Sequence, residues 1–236
     1  MASAKNNQPV MNRLLAALPK KEYQRLLPEL ESVPLIFGDI IFEPGDRLRH
    51  VYFPDNSIVS LLSAVEDREL LEVGIVGNEG MAGLPVFMGV TTSRTRGLVQ
   101  GAGSAMRMKA AALRKETING GALHKLLSRY SHALLTQISQ SAACNRFHPI
   151  SVRLARWLLM THDRVEGDEF RMTQDFLSHM LGGTREQITV AASMLKKQNL
   201  IDYSRGRIKI LDRAGLEAAS CKCYRVVKDE YDNFLS

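Results

Sequence analysis

The sequence predicts an α+β chain: an N-terminal antiparallel β-barrel or jelly roll, then a long helix, then a C-terminal winged helix-turn-helix. Three observations carry this. Short apolar or alternating runs between about Val33 and Met108 are separated by turns rich in Gly, Pro, Asn and Asp. Turn signals nearly vanish after Gly121, where apolar residues recur at helical spacing. Residues 173–201, TQDFLSHMLGGTREQITVAASMLKKQNLI, hold two amphipathic stretches on either side of Gly182-Gly183.

The bulk properties fit. A chain of 236 residues with 45% hydrophobic and 24% charged residues is that of a globular protein of one large domain or two ordinary ones. Neither a bilayer-length apolar run nor a secretory core is evident, so a cytoplasmic protein without a membrane partner is expected. Three cysteines cannot form an even disulfide framework, which suits a reducing compartment. Cys221 and Cys223 form the only close pair. With no His or third Cys near them in sequence they read as ordinary thiols, a zinc or iron–sulfur site being the lesser alternative, and no metal is assigned. The net charge of +6 permits a polyanionic partner. Most of that surplus is local: between Thr184 and Lys209 six cations face only Glu186 and Asp202.

Residues 1–109 are expected to form the barrel, preceded by two short helices cut at Pro19 in NRLLAALPKKEYQRLLPEL. The strands are IIF (40–42), VYF (51–53), IVSLL (58–62), LLEVGIV (70–76), GLVQG (97–101) and AMRM (105–108). Regularly spaced short strands of this kind close into barrels or jelly rolls. Residues 110–147 read as a dimerisation helix, with Leu123, Leu127, Tyr130, Leu134 and Ile138 on its stripe. Such a stripe serves either a second copy or simple burial on the barrel. His148-Pro149 ends the helix, since a residue before proline leaves the helical region, and residues 148–236 form the last domain, opening with SVRLARWLLMTHDRV.

Within that domain, Gly182-Gly183 terminates one helix, about 174–181, because glycine adopts left-handed backbone angles without penalty. Thr184 and Gln187 then form a capping box that starts the next. The first helix buries Phe176, Leu177, Met180 and Leu181; the second buries Ile188, Ala191, Ala192 and Leu195 at i, i+3, i+4 and i+7. An outward face of Arg185, Glu186, Thr189, Ser193 and Lys196, with Val190 at its edge, makes the pair a helix-turn-helix. Strands at Leu200–Tyr203 and Ile208–Leu211 around Ser204-Arg205-Gly206-Arg207 add a basic wing. DNA binding follows from the agreement of these features; the alternative is a ligand-binding or protein-docking module that never meets DNA. No metal-ligand cluster, phosphate loop or nucleophile elbow points to an enzyme.

These features resemble the Crp-Fnr family of bacterial transcription regulators over nearly the whole chain, most specifically in TQDFLSHMLGGTREQITVAASMLKKQNLI. The resemblance implies a cyclic-nucleotide-binding-like sensor barrel, a homodimer whose second helices enter successive major grooves of a palindromic duplex, and RNA polymerase as a further partner. Carried over by position, Arg185 and Glu186 read bases, with Gln187, Thr189 and Val190 beside them; valine replaces an arginine of the cyclic-AMP branch. Thr173, Thr184, Ser193, Lys196, Lys197, Arg205 and Arg207 are expected phosphate contacts.

The effector pocket implied by the family falls on Gly80, Met81, Ala82, Gly83 and Leu84, with Arg94, Thr95 and Arg96. Met81 stands where the family's ribose-binding carboxylate would be, and Thr95 falls at the phosphate-binding place. Both departures argue against cyclic AMP. The missing N-terminal cysteine cluster argues against the iron–sulfur centre of the fumarate-nitrate branch. Haem ligation by His50, His124, His132 or His148 is left beside the simpler reading of surface or packing histidines. The cofactor is therefore unassigned, and the barrel senses a small-molecule signal or none.

Overall fold

The computed structural model describes residues 10–66 and 69–235. Residues 1–9, read above as lacking a secretory core, lie outside the described residues. Two short helices, α1 (Arg13–Ala16) and α2 (Lys20–Leu26), lead into the strands, and Pro19 lies between them as expected. Asn12 caps α1 by accepting the Leu15 N–H. Its buried amide also donates to the carbonyls of Pro54 and Gly80 at 2.8 and 3.0 Å, so it fastens the helix to the strand region.

Seven strands follow: β1 (Leu30–Leu35), β2 (Ile40–Phe42), β3 (His50–Pro54), β4 (Ile58–Glu66), β5 (Glu69–Val76), β6 (Arg96–Gly101) and β7 (Gly103–Lys109). They form two antiparallel sheets, in the orders β1-β7-β3 and β2-β6-β4-β5. The expected barrel is thus an open jelly-roll-like sandwich. Val51, Phe53, Ala105 and Met108 of one sheet share a core with Val59, Leu62, Ile75 and Val99 of the other. β1 was not named as a strand, although the strand region was expected from about Val33; it pairs in unbroken register from Leu30–Met108 to Leu35–Gly103.

The segment expected as one helix is two, α3 (Ala110–Thr117) and α4 (Ala122–Phe147). Gly120 and Gly121 separate them, both in the left-handed region at φ 77° and 111°. The stripe Leu123, Leu127, Tyr130 and Leu134 is buried inside its own chain, with Ile138 packed at its edge. It seats the helix on the sandwich and on the C-terminal helix, so Leu123, Leu127, Tyr130 and Leu134 are not a surface open to a second copy, and Ile138 stays partly exposed. The sharpest approach is at Gly80, where a Cβ would collide with the Tyr130 ring. The Tyr130 hydroxyl donates to the Met81 carbonyl at 3.2 Å.

The last region comprises α5 (Ile150–His162), β8 (Glu169–Arg171), α6 (Gln174–Leu181), α7 (Arg185–Lys197), β9 (Ile201–Ser204), β10 (Arg207–Ile210), α8 (Arg213–Ala219) and α9 (Lys222–Asn233). It docks firmly on the sandwich. Glu79, after β5, holds Arg164, just beyond α5, at 2.9 Å with both side chains buried. Trp157 of α5 donates to Glu72 of β5 at 2.8 Å, Gln137 of α4 donates to the Tyr231 hydroxyl of α9 at 2.7 Å, and the rings of Phe37 and Phe176 lie 5.6 Å apart.

Candidate nucleic-acid interface

The corner between α6 and α7 is built from local chemistry. Gly182 takes φ 58° and ψ 48°, and the Gly183 N–H reaches back to the Ser178 carbonyl at 3.1 Å, a Schellman-type end. The Thr184 hydroxyl accepts the Gln187 N–H at 3.2 Å, and the Gln187 side chain accepts the Thr184 N–H at 3.0 Å. This is the full capping box read from the sequence. A Cβ at Gly182 would stand 2.7 Å from Leu71 Cδ1, so glycine there also lets β5 approach.

Beyond the corner, Ile188, Ala191, Ala192 and Leu195 are buried, packing α7 on α5 and α6. Leu177, Met180 and Leu181 of α6 are buried as expected, whereas Phe176 is only half-buried, against the exposed ring of Phe37. The opposite face of α7 is open: Arg185, Glu186, Gln187, Thr189, Val190, Ser193, Lys196 and Lys197 are all exposed. Sequence reasoning overlooked Met194, which joins that face. The face is not uniformly free. The carbonyl end of Gln187 is held in the capping box, leaving its amide NH₂ to donate. The Thr189 hydroxyl lies 2.8 Å from the Arg185 carbonyl and 3.1 Å from Gln174 Oε1, so it is spent locally and presents mainly its methyl group. Arg185 makes no ion pair among the described residues, so its guanidinium stands ready for a bidentate acceptor.

The wing has three strands, in the order β8-β10-β9. β8 was not foreseen, and the expected hairpin closes one residue tighter, with Ser204 and Arg207 paired. Arg205 (φ 48°) and Gly206 (φ 72°) occupy the two central places, the backbone of a type I′ turn. An open cleft of about 440 Å³ lies between this tip and the start of both helices, lined by Thr173, Gln174, Arg185, Tyr203 and Arg205. Asp175, also on its wall, restricts where an anion can sit. Thr173 accepts the Phe176 N–H and so uses a lone pair, which leaves its O–H able to donate to a phosphate oxygen. Among the expected phosphate contacts two are engaged elsewhere: Lys196 with Asp202 at 2.7 Å and Arg207 with Glu169 at 3.2 Å. Both pairs are exposed, and exposed pairs contribute little, so a phosphate can displace the acid.

The expected effector residues do not converge on a free anion site. Met81, Ala82 and Leu84 are buried in the core, Arg94 is exposed, and Arg96 is paired with Glu43 at 2.7 Å. Thr95 is engaged with Ser93, whose hydroxyl lies 2.7 Å from its carbonyl. The thiols left unassigned by the sequence are not scattered: Cys144, His148, Cys221 and Cys223 bring their donor atoms within 4.8 Å of one another. The i,i+4 spacing of Cys144 and His148 at a helix end was the overlooked signal.

Residues 152–219 match the family model described as the Crp-like helix-turn-helix domain. No curated protein matches the chain. Among solved structures, FixK2 from Bradyrhizobium japonicum is similar at TM-score 0.70 and 16% identity, over 81% of this chain and 98% of that one. A CRP-family transcriptional regulator from Thermus thermophilus gives 0.64 and 17%, over 80% and 96%. A CooA mutant from Carboxydothermus hydrogenoformans gives 0.63 and 16%, over 91% and 97%. At these identities the structures establish the fold, and the helix-turn-helix match gives the domain its kind. Taken together they give residues 152–219 as a Crp-like helix-turn-helix domain within a chain that shares the fold of these structures.

Proposed function

We propose that the chain binds palindromic duplex DNA as a homodimer, each copy laying α7 in a major groove. The carrying observation is that α7 stands outward beside the wing, with Arg185 and Glu186 exposed at the end nearest the corner. In this reading Arg185 donates to guanine O6 and N7, and Glu186 accepts from cytosine N4. Gln187 offers its amide donor, and Thr189 and Val190 offer methyl contacts to thymine. The hydroxyls of Thr173, Thr184 and Ser193, with Lys196, Lys197, Arg205 and Arg207, hold phosphates and set register without specifying sequence. A docking module would cover the Arg185 face with protein, whereas within this chain α7 packs on α5, α6 and β9 and leaves that face bare.

With the inner stripe of α4 consumed at home, the second copy meets its outer side, where Leu135 and Ala142 are exposed between polar residues. The sandwich supplies regulation through its docked contacts with α5 and α6, which shift the population of competent dimers. Met81, buried in the core, offers no carboxylate to a ribose hydroxyl, and Arg96 is paired with Glu43; both count against cyclic AMP as its ligand. The output is exerted on RNA polymerase in the cytoplasm, and the activity is binding, not catalysis. No described helix is long and apolar enough to cross a membrane.

The test is selection of bound sites from random duplex DNA, with and without cyclic AMP, with sedimentation of the free protein. The reading expects a dimer and a two-fold symmetric site unchanged by the nucleotide. A monomer with no enriched sequence would overturn it.

A further inference from the structure

We infer that Cys144, His148, Cys221 and Cys223 form a closed site for one tetrahedral thiophilic divalent cation, zinc in its chemistry. The four come from three places in the fold. Cys144 lies in the last turn of α4, His148 in the link to α5, and Cys221 and Cys223 at the N-cap and first turn of α9. Their donor atoms all lie within 4.8 Å of one another. The Cys144 and Cys221 sulfurs are 3.6 Å apart, and Cys223 Sγ is 3.8 Å from His148 Nδ1. A zinc ion with Zn–S bonds of about 2.3 Å in a tetrahedron sets its sulfurs about 3.8 Å apart, so the side chains need only small adjustments. A disulfide would need the two sulfurs at about 2.05 Å and would leave Cys223 and His148 without a role. A multi-iron cluster would need its four donors spread around a larger body than this one.

A second observation points the same way. Arg156 is 6% exposed, and its Nε has no hydrogen-bond partner. It forms no ion pair within 4 Å among the described residues; its Nη2 donates to the Ser141 hydroxyl at 3.0 Å. A buried cation so placed is costly. Its charge acts on both Cys144 and Cys223. Three thiolates, a neutral imidazole and a divalent ion carry one net negative charge, which Arg156 offsets. Four protein ligands leave no position open, so the site is of the structural kind. Binding displaces the three thiol protons and clamps the end of α4 to the start of α9, across the joint where the long helix gives way to the DNA-binding region.

The full-length protein is purified under reducing conditions, analysed for metal, stripped with chelator, and titrated with Zn²⁺ and with Co²⁺. One ion per chain and thiolate-to-cobalt charge-transfer bands with tetrahedral d–d bands are expected. C221S and H148Q, both at half-buried positions, should each weaken Zn²⁺ by at least the effect of losing an outer-shell partner, about 10–100-fold. The idea is overturned if the wild-type protein takes up no Zn²⁺, if uptake is unchanged in both variants, or if the reduced protein reoxidises to a Cys144–Cys221 disulfide in place of metal binding. Should a variant fail to fold, the wild-type titration decides alone.

Discussion

Replacing Glu79 with Gln probes the joint between the sandwich and the helix-turn-helix region while preserving shape. Glu79 Oε1 accepts from Arg164 Nε at 2.9 Å and from the Gly77 N–H at 3.1 Å. Glu79 is 4% and Arg164 8% exposed. Arg164 also donates to the Met160 carbonyl at 2.7 Å and lies 5.3 Å from the Tyr231 ring centroid. Those contacts hold the guanidinium in place after its hydrogen-bonded counter-charge is gone, so E79Q leaves a buried cation with only the charge of Asp163 near it. Breaking one side of such a pair costs about 3–5 kcal/mol. Each kcal/mol lowers the melting point of a chain this size by about 2–4 °C, so a fall of roughly 6–20 °C is expected. The assay is a double-mutant cycle of thermal and denaturant unfolding with R164M. Removing both charges should cost less than the sum of the two single changes by about 2 kcal/mol. A loss under about 1 kcal/mol for E79Q, or strict additivity, would refute the account of this joint.

Burial pushes the Glu72 carboxyl up from 4.5 to about 7, partly offset by the hydrogen bond from Trp157 and by the charges of Arg156 and Arg164. Because the folded value is the higher one, this group's contribution is fully present below pH 4.5 and is lost as pH rises to 7. Wild type should therefore lose about 3 kcal/mol across that window relative to E72Q, and parallel unfolding profiles would contradict it. Gly182→Ala places a Cβ in the left-handed region and 2.7 Å from Leu71 Cδ1. It should destabilise the protein by about 1 kcal/mol or more in urea unfolding, where a neutral result would mean the corner relaxes freely. On specific DNA, R205A should reduce the slope of log affinity against log salt by about 0.9 per half-site. R207A should reduce it less, because that side chain must first leave Glu169; equal effects would deny the pairing a role in solution.

What the sequence disclosed was local. Gly182 closes the end of α6 on its own last turn, Thr184 and Gln187 satisfy each other's backbone groups three residues apart, and Arg205-Gly206 closes its own hairpin, so these features were legible in the sequence. The inner stripe of α7 followed because small alanines at helical spacing leave little alternative. What stayed hidden depends on distant partners. An apolar stripe on α4 looks the same whether it faces a sandwich or a second copy, and only the placement of Tyr130 against Gly80 settles which. β8 is three residues long and exists because β10 is there to pair with it. The Gly120-Gly121 break was visible but was read through as part of one helical segment. Cys144 and Cys221 are 77 residues apart, and no spacing rule joins them.

The central claim is that α7 reads base edges through Arg185, and the most direct measurement repeats the selection from random duplex DNA with R185A beside the wild type. The account predicts that one guanine preference per half-site disappears in the variant, with affinity for the wild-type site reduced by about 1–3 kcal/mol per half-site. An identical consensus from both proteins, or a uniform loss across all sequences with no position relaxed, would contradict it.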